Sequence, residues 1–474
     1  MIFLPILATQ RKYLRGQERV MSFSNDFMWG VASSAYQIEG AADEDGRGSS
    51  IWDVMCTKPD AIYENHTGAV ACDHYHLFKT DLALMRDLGI KSYRLSLSWP
   101  RILPNGTGNC NSDGITFYDN LIDECLANNI TPVVTLFHWD YPYELYRRGG
   151  WLNAQSSGWF EDYAKLVVEH LSDRVQHWIT LNEPQCFVGL GHCEGIHAPG
   201  DKLPMREVLL AGHNALLAHG KAVRVIRQYA KTTPVIGYSP VGNVRVPLTE
   251  NSCDIQAAKE EMFKVVTEGL ESKVWSNTWW MDPVYLGRYP DDGLRLFHHD
   301  LPAFNAADFE IISAPLDYFG VNIYHARQVR AGHDAVAQEV PIDENHSLTA
   351  CGWPIVPQCL YWGPKFFYER YNKPIIITEN GMSCEDSLAP DGKIHDSERI
   401  EFMTRHLQQI KRAVNDGVPL KGYFHWSFTD NFEWAHGYSQ RFGLVYIDYA
   451  SQQRIPKDSA QWYANVIKDN GANL

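Results

Sequence analysis

Eight runs of mostly apolar residues alternate along this chain with longer stretches in which apolar residues recur every three or four positions. A short apolar run bounded by turn residues is typical of a strand that is buried on both faces. We therefore predict strands at residues 28–32, 92–97, 132–137, 177–181, 235–238, 318–323, 375–378 and 422–426.

Most of the stretches that follow these runs have the apolar spacing of amphipathic helices. The spacing predicts helices at residues 73–88, 114–128, 158–172, 209–228, 361–371 and 397–416. Some of these helices end at residues that stop a helix, such as Gly89 and the pair Asp416 and Gly417.

Strands that alternate with helices predict a parallel sheet, and eight such units favour a closed (β/α)8 TIM barrel over an open, doubly wound sheet. No GxGxxG motif follows the first strand, so the dinucleotide-binding alternative lacks its phosphate loop. We predict one domain over residues 21–474 and an extension outside the fold at residues 1–20. Long insertions near 34–72, 239–280 and 325–357 are expected to be βα loops that build the walls of a pocket.

Composition narrows the possible functions. The net charge of −15 argues against nucleic acid as a partner, because nucleic-acid binding needs a clustered basic surface. No apolar stretch approaches the roughly 20 residues of a membrane span, so no membrane partner is expected. Ten scattered cysteines without a CxxC pair indicate reduced thiols and favour a cytoplasmic protein. Residues 1–10 are apolar but lack a basic start, which suits a secretory signal poorly and leaves secretion as the alternative.

Two glutamates stand where chemistry is expected in a barrel of parallel strands. Glu183 follows the apolar run at 178–181, and Glu379 follows the run at 375–378. The carboxyl ends of the strands carry the active site in such barrels. Two carboxyl groups that face each other can share the work of glycoside hydrolysis, one protonated and one ionised.

With these glutamates in view, the chain resembles the glycoside hydrolase family 1 β-glucosidases from about Phe23 to the C-terminus. Six motifs carry the resemblance in order, each near a predicted strand end. They lie at residues 27–40, 93–99, 135–139, 180–184, 377–381 and 426–434. The resemblance implies that Glu183 is the general acid and then the base, and that Glu379 is the nucleophile.

The resemblance also implies roles for the residues around the two glutamates. Asn182 would donate to the 2-hydroxyl of the sugar, Arg94 would keep Glu379 ionised, and Tyr324 would orient Glu379. The sugar itself would be held by the following residues: Gln37, His138, Trp426 and Glu433, with Trp434 as a further donor. Asn322 is expected either to contact the sugar or to lie behind the residues that do.

Two further positions bear on specificity. Glu433 stands where the related phospho-β-glycosidases lack an acid, so a sugar without phosphate is expected. Trp353 resembles the platform on which the family stacks the leaving group. The family often has Trp after its Asn-Glu-Pro motif, whereas this chain has Gln185 and Cys186, so the preference for the leaving group is left open.

We therefore predict a retaining, exo-acting β-glucosidase that needs no cofactor and acts on small β-glucosides such as cellobiose and aryl glucosides. β-Galactosides and β-fucosides are further candidate substrates. One alternative is a metal-dependent barrel hydrolase built on the cluster Cys72, His74 and His76. Another is a sugar-binding barrel without catalysis, against which the presence of both glutamates argues.

Overall fold

Eight parallel strands surround the centre of the molecule in a computed structural model, which describes residues 23–265, 273–332 and 336–474. The strands, numbered along the chain, are Met28–Ala32 (β1), Ser92–Ser96 (β2), Thr131–Phe137 (β3), His177–Asn182 (β4), Val235–Ser239 (β5), Phe319–Asn322 (β6), Ile375–Asn380 (β7) and Leu420–Trp426 (β8). Their order in the sheet is β5-β4-β3-β2-β1-β8-β7-β6. All eight predicted strands are confirmed, with bounds that differ by at most two residues.

The sheet closes almost completely into a barrel, because β5 and β6 at its two ends are joined by further hydrogen bonds. The amide of Asp317 donates to the carbonyl of Ile236 at 2.9 Å, and the amide of Asn322 donates to the carbonyl of Pro240 at 3.1 Å. The side chain of Asp317 also accepts from the amide of Ile236 at 2.7 Å. The predicted (β/α)8 barrel is thus confirmed.

Side chains on the strands alternate between two apolar layers, which explains why the strands read as continuous apolar runs. Ala32, Val133, Ile179, Ile376 and Phe424 belong to a buried cluster that is separate from the main core. Their sequence neighbours on the same strands, such as Val31, Val134 and Ile377, belong to the main core. Because both faces are buried, apolar residues are required at nearly every position.

Helices connect the strands. The six predicted helices are present as His74–Asp87, Ser112–Ala127, Ser156–Leu171, Met205–Tyr229, Cys359–Tyr371 and Ser397–Asn415. The other helices of the described residues are Ala35–Ile38, Ile51–Met55, Trp99–Ile102, Tyr143–Tyr146, Ser252–Met262, Asn277–Leu286, Asp291–Leu296, Ala306–Ile312 and Asp458–Lys468. Single turns of 3₁₀ helix occur at Tyr63–Asn65, Gly150–Leu152, Lys273–Trp275 and Trp434–His436, and a π-helical segment occupies Gln185–Glu194.

Two small sheets lie outside the barrel and were not predicted. Strands Val244–Pro247, Ala326–Ala331 and Ala337–Glu339 form one, and strands Val445–Asp448 and Gln453–Pro456 form the other. The three-stranded sheet joins the loops after β5 and β6, so described segments of these two predicted insertions pair with each other. Residues 1–20 lie outside the described residues, and their prediction as an extension stays a prediction. Across the part of the chain that is described, no helix is long and apolar enough to cross a membrane.

Candidate active site

A cavity of about 450 Å³ opens at the carboxyl ends of the barrel strands. Both glutamates line it, as do loop residues that follow β4, β5, β6 and β8. The lining comprises His138, Trp139, Glu183, Cys186, Leu190, Glu194, Ile196, His197, Val241, Gly242, Asn243, Trp275, Tyr324, His325, Trp353, Glu379, Trp426, Glu433, Trp434, His436 and Phe442. The location agrees with the general placement of active sites in such barrels.

Glu379 lies within β7 close to its end, where a cation and a phenol hold its carboxyl group. The guanidinium of Arg94, on β2, forms a very short ion pair with Oε1 of Glu379. The hydroxyl of Tyr324 donates to Oε2 at 2.6 Å. Burial raises the pKa of Glu379 above its ordinary value, and Arg94 and Tyr324 offset part of that rise. Each of these two partners stabilises the ionised carboxylate.

Glu183 directly follows β4 and has weaker partners. The amide of Asn322 donates to its Oε1 at 2.8 Å, and the thiol of Cys186 donates to its Oε2 at 3.2 Å. Its φ of +46° lies in the left-handed region, which is costly for a residue with a side chain and is found most often at functional sites. Burial, followed by the charge of Glu379, raises the pKa of Glu183 to about 8.

The two carboxyl groups therefore differ in how readily they hold a proton. Glu379 is paired with a cation, whereas Glu183 forms no ion pair with any described residue and lies near the negative charge of Glu379. Of the two, Glu183 is the group that keeps a proton near neutral pH. A proton donor beside an ionised carboxylate is the pair of groups needed to cleave an acetal.

Asn182 connects the two carboxyl groups through a shared hydrogen-bond network. Its Oδ1 accepts from Arg94 at 2.6 Å and from Asn322 at 3.0 Å. Its Nδ2 lies 3.1 Å from Nε2 of His138, and burial holds the pKa of His138 well below its ordinary value. A neutral imidazole can accept from the amide, so the orientation of Asn182 is fixed from three sides.

The buried part of the lining, which we call the inner end, includes Trp426, Glu433 and Trp434, and Gln37 lies directly behind it. The amide of Gln37 donates to Oε2 of Glu433 at 3.3 Å, and its carbonyl accepts from Ser34 at 2.6 Å. Burial and the charges of Glu379 and Glu183 raise the pKa of Glu433 to about 8. This end offers adjacent donors and acceptors, which suits a sugar with vicinal hydroxyls.

The rings of the inner end form a continuous aromatic wall. His138 stacks on Trp426 with ring centres 5.6 Å apart and on Trp434 at 6.1 Å. Trp139, which packs against Trp434 at 4.6 Å, donates its indole N–H to the carbonyl of Asn182 at 3.0 Å. These contacts hold the polar side chains of the inner end in place, and the rings provide a flat apolar surface.

The more exposed part of the lining, which we call the outer end, includes Leu190, Ile196, Trp275 and Trp353. Trp353 is partly exposed and packs against Tyr324 at 5.2 Å. Ile196 is 51% exposed, although it lines the cavity. Glu194, the polar member of this region, accepts from the indole of Trp275 at 3.4 Å. An apolar, open end of a cavity can accommodate a part of the ligand whose chemical structure varies from one ligand to another.

The predicted site residues fall into two positions. Eight of them line the cavity: His138, Glu183, Tyr324, Trp353, Glu379, Trp426, Glu433 and Trp434. The other four, Gln37, Arg94, Asn182 and Asn322, lie directly behind the lining and reach it through hydrogen bonds. Asn322 lies between Glu183 and Asn182, and its Oδ1 accepts from Thr378 at 2.6 Å. Of the predicted insertions, 34–72 contributes no described residue to the lining.

Several residues of the site were not predicted. Trp139 and Asn431 lie inside motifs noted above, so the sequence contained a signal that could have identified them as site residues. Asn431 accepts a hydrogen bond from the side-chain amide of Gln37 at 3.1 Å. Leu190, Ile196 and Trp275 of the outer end stand in no motif. Cys186 was noted only as a departure from the family, and its contact with Glu183 depends on the π-helical turn that follows β4.

Cys72, His74 and His76, which form the metal site in the alternative hypothesis of a metal-dependent hydrolase, each form hydrogen bonds with other residues. The thiol of Cys72 donates to the carbonyl of Asp430 at 2.9 Å, and His74 bonds Asp81 at 2.7 Å. His76 bonds Asp73 at 2.6 Å. Within residues 23–265, 273–332 and 336–474, no group of three or more His, Cys, Asp or Glu side chains is arranged to hold a metal ion.

Comparisons with known proteins agree with this geometry. The family model described as glycosyl hydrolase family 1 matches residues 19–472. The 1,4-beta-D-glucan glucohydrolase of Thermotoga neapolitana is 44% identical over 95% of this chain and 99% of its own length. The aryl-phospho-beta-D-glucosidase BglC of Bacillus subtilis is 37% identical over 96% and 98% of the two chains. The solved structure of the beta-glucosidase from Thermotoga maritima in complex with glucoimidazole superposes with a TM-score of 0.86 at 42% identity, covering 95% of this chain and 99% of that one.

Proposed function

The chain belongs to glycosyl hydrolase family 1, and we propose that it is a retaining β-glucosidase that removes terminal β-D-glucosyl residues from cellobiose and aryl β-glucosides. The observation that carries the proposal is the pair of carboxyl groups on one cavity. Glu379 is paired with Arg94, and Glu183 has a pKa raised to about 8. β-Galactosides, which differ from β-glucosides in the orientation of the 4-hydroxyl, and β-fucosides, which also lack the 6-hydroxyl, are candidate substrates of the same site.

In the first step, the carboxylate of Glu379 attacks the anomeric carbon as the bond from that carbon to the leaving oxygen breaks. Glu183 gives its proton to the leaving oxygen, so the aglycone departs as a neutral alcohol. The ion pair with Arg94 and the hydrogen bond from Tyr324 keep Glu379 ionised for this attack. A glycosyl ester of Glu379 is the intermediate.

In the second step, water attacks the same carbon and releases Glu379. Formation of the ester removes the negative charge of Glu379, which is one cause of the raised pKa of Glu183. The pKa of Glu183 therefore falls in the intermediate, so this group can accept a proton from water. The site thus changes the role of Glu183 without moving it.

The inner end suits an uncharged sugar. A phosphate dianion needs cationic partners, and the described residues that line the cavity include no lysine or arginine. Glu433 stands there instead, together with the amide of Gln37. We therefore propose a glycone without phosphate, in contrast to the substrate named for the relative from Bacillus subtilis.

A reducing compartment suits the cysteines. The buried cysteines Cys72, Cys125 and Cys359 form no disulfide with any described residue. We therefore propose that the protein acts in the cytoplasm, since disulfides are the usual state of paired cysteines in oxidising compartments.

Proton NMR of the products tests the proposed reaction directly. With cellobiose or nitrophenyl β-glucoside as substrate, the first glucose released from the non-reducing end should be the β-anomer, and the α-anomer should appear only by slow mutarotation. Initial release of the α-anomer would contradict the retaining mechanism. No release of glucose from either substrate would contradict the proposed activity itself.

A further inference from the structure

The thiol of Cys186 contacts the carboxyl group that is proposed to carry the catalytic proton. Cys186 is the second residue of the π-helical segment Gln185–Glu194 and is 7% exposed. Its Sγ lies 3.2 Å from Oε2 of Glu183, and its amide donates to the carbonyl of Glu183 at 2.9 Å. Since Asn322 holds Oε1, each oxygen of Glu183 has one hydrogen-bond donor in a fixed position.

We propose that Cys186 is a positioning residue for Glu183, and that its thiol sets the upper pH limit of catalysis by stabilising the ionised carboxylate. The inference rests on the proposed function, in which Glu183 is the general acid and base. In this proposal, one side chain affects the balance between the protonated and the ionised state of Glu183, both of which occur during the reaction.

The thiol suits this task because it can both donate and accept a hydrogen bond. The amide nitrogen of Asn322 only donates, so a proton on Glu183 belongs on Oε2, the oxygen beside Cys186. When Glu183 is protonated, the sulfur can accept from its hydroxyl. When Glu183 is ionised, the S–H donates. Burial and the neighbouring Glu183 raise the pKa of the thiol, so Cys186 stays protonated and remains a donor.

Other charged groups act on Glu183 and must be kept constant in a test. Glu379 raises its pKa and Arg94 lowers it, while Tyr324 and Glu433 also interact with its charge. Further titratable groups that line the cavity are Glu194, His138, His197, His325 and His436. A substitution at Cys186 changes none of these residues in the sequence.

The variants Cys186→Ala and Cys186→Ser separate hydrogen bonding from packing. Both remove the bulk of the sulfur, but only serine keeps a donor. The pH dependence of kcat/KM on cellobiose should decline at high pH with the pKa of the acid in the free enzyme. We expect Cys186→Ala to move this decline upward by about half a pH unit, because a thiol is a weak hydrogen-bond donor. We expect Cys186→Ser to leave it unchanged or to move it downward.

Two outcomes would overturn the inference. One is a decline at the same pH in Cys186→Ala and the native protein, with or without a uniform loss at every pH. The other is the same upward shift in both variants, which would assign the effect to lost packing. If Cys186→Ala does not fold, Cys186→Val, which keeps the bulk without the donor, takes its place in the comparison. Absence of cellobiose hydrolysis by the native protein would instead contradict the proposed function.

Discussion

The inner and outer ends of the same cavity are built by different means. At the inner end, the fully buried Gln37 accepts a hydrogen bond from its near neighbour Ser34. It donates to Asn431 and Glu433, which lie 394 and 396 positions further along the chain. At the outer end, Ile196 is 51% exposed, and ring contacts hold the partly exposed Trp353.

This difference indicates which part of the substrate the protein defines strictly. Hydrogen bonds are directional, and a buried polar group that loses its partner is strongly destabilised. Apolar contacts are non-directional and depend mainly on the area that is covered. The inner end should therefore discriminate among sugars, and the outer end should tolerate many leaving groups. Between them lie the two glutamates, on which every substrate depends.

The largest loss should follow the substitution Glu379→Gln, because Glu379 is the carboxylate that is paired with Arg94 and proposed to form the glycosyl ester. We expect kcat/KM to fall by at least about 10⁴-fold, the order of loss seen when a covalent nucleophile is removed. The loss should be large for cellobiose and nitrophenyl β-glucoside alike, since both must form the same glycosyl ester. Steady-state assays with both substrates measure it.

The matched control is Glu385→Gln, because Glu385 is exposed and is not among the residues that line the active-site cavity. We expect it to keep full activity. Comparable residual activity in the two variants would show that Glu379 is not the nucleophile.

A smaller loss that depends on the leaving group should follow Glu183→Gln. Removal of a general acid costs about 10²–10⁴-fold, and we expect this loss for cellobiose. A dinitrophenyl leaving group needs no proton, so its departure should stay fast. The second step still lacks its base, and a burst of dinitrophenol should precede slow turnover. An equal loss for both substrates, without a burst, would contradict the role of Glu183.

The barrel could be predicted from the sequence because its strands are buried on both faces. The run at 375–378 is apolar at every position but one, and the strand Ile375–Asn380 lies where the run predicts. The small sheet of Val244–Pro247, Ala326–Ala331 and Ala337–Glu339 was missed. Its strands are three to six residues long, and the outer strand is largely exposed, so no apolar pattern marks them.

The part of the site that could be predicted is the part formed by motifs at the ends of strands. Asn182, Glu183 and Glu379 lie within or directly after their strands, so the barrel topology brings them together. The outer end depends on the packing of long loops, which local sequence does not encode. The contact between Cys186 and Glu183 depends on a π-helical turn, for which the residue spacing gave no signal.

Removal of the side chain in Glu433→Ala should affect all glucosides alike. Two sugar hydroxyl groups would each lose a hydrogen-bond partner at the inner end, and a typical hydrogen bond contributes about 0.5–1.5 kcal/mol. We expect kcat/KM to fall by roughly 5- to 150-fold for both cellobiose and nitrophenyl β-glucoside. A loss confined to one of the two substrates would show that Glu433 contacts the leaving group and that the inner end is not specific to the glycone.

The smallest effect is expected from Trp353→Ala, and it should depend on the leaving group. Stacking on an aromatic ring contributes about 0.5–1.5 kcal/mol, so KM for cellobiose and nitrophenyl β-glucoside should rise roughly 2- to 10-fold. Methyl β-glucoside has no second ring and should be unaffected. Trp353→Phe, which keeps a ring, should recover most of the loss. Trp353 also packs against Tyr324, which bonds Glu379. If kcat for methyl β-glucoside falls as well, that contact transmits the change to the nucleophile, and the two ends of the cavity are not independent.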